Sequence, residues 1–94
     1  MITYAEAEAK VAAALGPLWR GPGTFAVGGV AREDAETYLV RVGAAEWING
    51  GDPEFIAVDD SIVLVDKQTG DITESSYMLE MDRIDKMRPV NTAP

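Results

Sequence analysis

The sequence predicts an α+β domain: an N-terminal amphipathic helix on an antiparallel sheet of about four strands, with a short C-terminal helix. Three observations predict it. Thr3-Tyr4-Ala5-Glu6 reads as a capping box, and apolar residues then recur at helical spacing. Residues 36–43 alternate, with Tyr38, Val40 and Val42 on one side and Thr37, Leu39 and Arg41 on the other. Ile62-Val63-Leu64-Val65 is apolar without alternation and runs into a polar turn closed by Gly70. That pattern marks a strand covered on both faces and a tight return.

In chain order, Tyr4, Ala7, Val11, Ala14, Leu15 and Leu18 form the helix stripe, and abundant alanine favours the helix. Glu6 and Lys10 stand one turn apart, where they can pair on the wet side. Gly16-Pro17 is expected to stop the helix. Residues 18–23 form a linker, in which Gly21-Pro22-Gly23 matches neither a dinucleotide fingerprint nor a P-loop. Residues 24–31 read as a strand, with Gly28-Gly29 marking a bulge or a close backbone approach. A polar turn at residues 32–35 makes this strand and residues 36–43 an antiparallel hairpin. Residues 44–49 suggest a helical turn ended by Gly50-Gly51, and Asp52-Pro53-Glu54 a turn. Phe55-Ile56-Ala57-Val58 is a short apolar segment, after which Asp59-Asp60 leads into the central strand. Residues 75–90 fit either period. The reading favoured is a short helix capped by Ser75 or Ser76 and ended before Pro89. Residues 1–90 then form one domain, and residues 91–94 a disordered tail.

The chain has 94 residues, with no cysteine and no histidine. Disulfides, Cys/His zinc sites and imidazole-driven nucleophilic catalysis are therefore excluded. The expectation is no enzyme, no cofactor and no metal. Sixteen acids against eight bases give a net charge of −8, which repels phosphate backbones and suits a basic partner. No apolar run reaches the roughly 18–20 residues of a membrane span. The N-terminus lacks a signal-peptide pattern, so a cytoplasmic location is expected.

Asp52, Glu54, Asp59 and Asp60 gather beside Trp47 and Glu46. The carboxylates lack the register of a calcium loop and read either as a solvated loop or as an acidic contact surface. Core packing is the default reading for Trp47; a half-exposed tryptophan rimmed by carboxylates would instead have the character of an interface anchor. The candidate partner-binding residues are thus Glu46, Trp47, Asp52, Glu54, Asp59 and Asp60. Charge reversal at Asp59 and Asp60 is expected to slow association and weaken its salt dependence. Trp19 is expected to plug the core. Met78, Met81 and Met87 read as gap-filling residues or as a homodimer surface. Asp66, Lys67 and Asp71 read as wet-turn residues, and Arg41 as a surface cross-strand partner for an acid.

The opening helix, Tyr38-Leu39-Val40-Arg41-Val42, Gly51-Asp52-Pro53 and the stretch from Ile62 to Ile72 with its Val-Asp-Lys-x-Thr-Gly core form a series. The series resembles the YrhB-type domain, also called the immunity protein 35 family, over roughly residues 3 to 88. Where many members place a small residue and a proline before the central strand, this chain has Asp60-Ser61. The resemblance implies a small bacterial α+β protein that binds and silences a cognate toxin of a polymorphic system. It carries over no catalytic residues. The expected function is an immunity protein that occludes a toxin's basic active cleft. The alternatives are a generic interaction or chaperone-like domain, and a small-molecule module with a pocket lined by Tyr38, Trp47 and Phe55.

Overall fold

A computed structural model describes residues 1–19, 23–28, 31–48, 50–52, 54 and 61–90. The expected tail at 91–94, the apolar segment at 55–58, Asp59 and Asp60 lie outside the described residues. Helix α1 (Tyr4–Leu15) opens on the capping box: the Thr3 N–H donates to Glu6 Oε1 at 3.0 Å, and the Glu6 N–H donates to Thr3 Oγ1 at 3.1 Å. The helix stops at Gly16-Pro17 as expected, without a left-handed cap. Gly16 has φ −54°, and Gly16–Leu18 tightens into a 3-10 turn that admits Pro17 near its start.

The hairpin expected over residues 24–43 is present, but each of its long strands divides. Phe25–Val27 (β1) pairs with Val42–Ala44 (β4), and Arg32–Glu33 (β2) pairs with Thr37–Val40 (β3). Between Val27↔Val42 and Arg32↔Leu39, four positions on one strand oppose two on the other. The sequence marks a bulge at Gly28-Gly29, of which Gly29 lies outside the described residues. The Gly28 N–H still donates to the Arg41 carbonyl at 3.0 Å. The consequence is two sheets, a β1-β4 pair and a separate five-stranded antiparallel sheet.

That sheet has the order β6-β5-β3-β2-β7, with β5 at Ser61–Asp66, β6 at Ile72–Ser76 and β7 at Arg88–Pro89. The two-residue strands β2 and β7 take it beyond the four strands expected. Pro89 lacks an N–H and stands on an edge strand, where that loss is tolerated. Between β4 and β5 lies the helical turn α2 (Ala45–Ile48), and between β6 and β7 lies α3 (Tyr77–Asp85). Ser76 caps α3 by accepting from the Leu79 N–H at 3.3 Å.

The non-alternating run in β5 is explained by layers on both sides. Val63 and Val65 pack with Ala7 and Val11 of α1 and with Tyr38 and Val40 of β3. Ile62 and Leu64 point the other way, to Leu39, Ile84 and Met87. Helices α1 and α3 thus cover opposite faces of one sheet. Met87 is core, as a gap-filling reading requires, whereas Met78 and Leu79 are exposed.

The Gly70 turn is as the sequence indicates. Gly70 has φ +76°, its N–H donates to the Asp66 carbonyl at 2.8 Å, and Asp66 Oδ1 accepts from the Gln68 and Thr69 N–H groups. Lys67 is a correction. It is not a wet-turn residue: its side chain is buried, 2.6 Å from Glu33 Oε1 and over the Tyr38 ring.

Candidate functional site

The carboxylate and tryptophan cluster is built on the β4–α2 junction. Small residues Gly43 and Ala44 let the chain turn closely; a Cβ on Gly43 would already touch Ile48. The Ala45 N–H donates to the Thr24 carbonyl at 2.7 Å. Glu46 answers from the next position: both of its carboxylate oxygens accept from the Thr24 N–H, at 3.2 and 3.0 Å. This hydrogen bond from the Thr24 backbone, foremost, holds the Glu46 carboxyl below the usual carboxylate range. Glu46 therefore carries a fixed negative charge, and it also ties α2 to the start of β1.

Trp47 follows on α2 and is 40% exposed. Its carbonyl accepts from the Gly51 N–H at 2.9 Å, with Gly51 at φ +66°, and the Glu46 carbonyl accepts from the Asp52 N–H at 3.1 Å. The chain is thereby folded back under Trp47. Asp52 Oδ1 then accepts from the Glu54 N–H at 3.1 Å, and Glu54 is exposed. The structure thus joins Glu46, Trp47 and Asp52 through one short hydrogen-bonded loop, and Glu54 is tied to Asp52. Asp59 and Asp60, the remaining two of the six candidates, lie outside the described residues.

The arrangement offers an aromatic surface beside negative charge. It offers neither a nucleophile with a base nor a desolvated carboxyl suited to proton transfer. Among the described residues no group of three or more acidic side chains is placed to hold a metal ion. No helix among them is long and apolar enough to cross a membrane. Trp19 is half-buried at the end of the 3-10 turn, edge-on to Phe25 at 5.6 Å, with its Nε1–H donating to the Gly23 carbonyl at 3.2 Å. The pocket expected from Tyr38, Trp47 and Phe55 does not form from Tyr38, which is core-packed against Tyr4 and Lys67. Phe55 lies outside the described residues.

Sequence reasoning missed two groups of charges. Lys67, Glu33 and Arg88 make one ion-paired cluster on the α1 face. Arg83 of α3 pairs with Asp34 at 2.8 Å and donates to Thr37 Oγ1. Asp34 also caps the β2–β3 turn by accepting from the Glu36 and Thr37 N–H groups. Period-two alternation does place Arg41 on the Leu39 side, but among the described residues it forms no ion pair with the acid expected of it.

Comparison of the chain with protein-family models, with curated proteins and with solved structures found no match.

Proposed function

We propose that this chain is a stoichiometric binding protein of the immunity type, which neutralises a bacterial toxin by laying an acidic, tryptophan-centred face over a basic cleft. The observation that carries the reading is the exposure of Trp47 on a loop whose neighbours Glu46, Asp52 and Glu54 are all carboxylates. A large aromatic side chain left 40% exposed costs apolar hydration that a monomer gains nothing from. It is the kind of anchor that dominates protein interfaces. The net charge of −8 would accelerate encounter with a cationic surface and disfavour nucleic acid. The lack of histidine and cysteine favours occlusion over chemistry.

The test is co-expression with a toxin domain encoded beside it. A complex that survives purification, together with rescue of growth, supports the proposal. Growth arrest that persists, with no complex, contradicts it.

A second reading, an interaction domain holding several clients, is favoured by Met78 and Leu79, which are 74% and 81% exposed on α3. Binding to one partner at a fixed ratio would count against it.

A further inference from the structure

A cleft of about 220 Å³ opens on the α3 face of the sheet, and its lining includes none of the candidate partner-binding residues. Its floor is apolar: Leu39 of β3, Ile62 of β5 and Ile84 of α3. Its rim carries Arg32 and Arg41, with Tyr77 and Asp85 from the two ends of α3. The register explains the convergence of the arginines. Arg32 is the cross-strand partner of Leu39, and Arg41 stands two residues beyond Leu39 on the same side.

Their company is unusual for this chain. It has only eight lysines and arginines against sixteen acids, yet two of them meet at one cleft. Lys67, Arg83 and Arg88 are ion-paired, whereas among the described residues Arg32 and Arg41 have no acidic partner within bonding distance. Among the described residues the one carboxylate at the rim is that of Asp85, which accepts from the Tyr77 hydroxyl at 3.4 Å. Two guanidinium groups that have no acidic partner among the described residues, set over an apolar floor, are donors for an anion with an apolar body.

We propose that this cleft binds a compact monocarboxylate. Among the described residues the charges at the rim sum to +1, so a single carboxylate balances them and a dianion overshoots. The guanidinium forks suit the planar carboxylate, and the floor suits a ring-sized apolar group. The volume agrees, since an apolar cavity of roughly 150 Å³ accepts one benzene ring. The source is either a free small acid or the carboxylate end of a peptide. This assignment does not depend on the toxin-binding reading.

The experiment is an NMR titration of the full chain with benzoate, benzamide, phenyl phosphate and N-acetyl-phenylalanine. Benzoate is expected to shift the amides of Leu39, Ile62 and Ile84, with benzamide and phenyl phosphate binding more weakly. Arg41→Gln, at an exposed position, is expected to raise the benzoate Kd roughly tenfold or more. Asp85→Asn is expected to lower it. N-acetyl-phenylalanine binding more tightly than benzoate assigns a peptide end, and the reverse order assigns a free acid. Benzamide binding as well as benzoate, or an Arg41→Gln chain that binds benzoate unchanged, would overturn the proposal. The arginine stems would then serve only to cover apolar surface.

Discussion

Lys67 Nζ lies 2.6 Å from Glu33 Oε1, with the lysine side chain 5% exposed and the glutamate side chain 15%. The pair is the polar seal at one end of the α1-face core. Lys67 also stands 4.7 Å from the Tyr38 ring centroid, and the Tyr38 hydroxyl donates to the Ile2 carbonyl at 3.1 Å. The Ile2 N–H in turn donates to the Lys67 carbonyl at 2.9 Å. N-terminus, central hairpin and β2 are thus locked together at one point.

Removing only one member of this pair leaves the other withdrawn from water without its main partner. Lys67→Ala is expected to cost about 2 kcal/mol. That lies below the usual loss for a fully buried pair, because Arg88 still reaches Glu33 at 3.4 Å. The double replacement Glu33→Met with Lys67→Met is expected to recover most of the loss. Urea unfolding of the single and double variants measures both, and additive losses in the double variant would contradict the buried-pair account.

Stability is expected to fall in acid. The Lys67 hydrogen bond, foremost, holds the Glu33 carboxyl below its ordinary range, and the Thr69 and Gln68 backbone N–H groups do the same for Asp66. At Asp34, burial raises the carboxyl, but hydrogen bonds from Arg83, Glu36 and Thr37 together outweigh it and the net shift is downward. Each folded-state value lies below the unfolded one, so as pH falls the unfolded chain takes up protons first. The stabilisation is therefore complete above the unfolded values of about 4 to 4.3 and is lost as pH drops through the folded ones. Denaturant midpoints should stay level from pH 7 to about 5 and decline below that. Glu33→Gln should start lower at neutral pH and decline less. A midpoint unchanged at pH 3 would contradict this.

Gly70→Ala is expected to destabilise by about 1–2 kcal/mol. The cost is set by φ +76°, which only glycine adopts freely. The added Cβ would also come within 2.8 Å of Lys10 Cε, but that flexible side chain can move. Gly70→Asn should cost less than alanine, because asparagine tolerates this region better. Thermal melts of the two variants rank them, and alanine equal to or better than asparagine would contradict the turn geometry.

Trp47→Ala separates binding from folding. A residue this exposed should cost within about 1 kcal/mol of stability. As an interface anchor it should cost 2 kcal/mol or more of affinity for the partner, about thirtyfold in Kd. Calorimetric titration beside a thermal melt reads both. A large stability loss with unchanged affinity would make Trp47 a packing residue instead.

Much of this fold is legible in local chemistry. Thr3 and Glu6 announce α1, the unbroken apolar run from Ile62 to Val65 announces cover on both faces, and Gly70 announces the return strand. Gly28 marks the break in the hairpin. What local chemistry could not supply is register. Lys67 looks like a turn residue because its partner Glu33 is 34 positions away. The two meet only through the alignment of β2 with β3 and β3 with β5. The same holds for Arg32 and Arg41, whose convergence depends on a hairpin register and on where α3 returns. At the candidate partner face, spacing did gather Glu46, Trp47, Asp52 and Glu54. It could not show that the Glu46 carboxylate is engaged by Thr24.

The most direct test of the central claim is the association rate with a cognate toxin at low and high salt, for the unaltered chain and for Asp52→Lys with Glu54→Lys. Association steered by the acidic face should slow as salt rises, and the double variant should bind roughly tenfold slower at low salt with a flatter salt dependence. A double variant that associates as fast as the unaltered chain at both salt concentrations would contradict it.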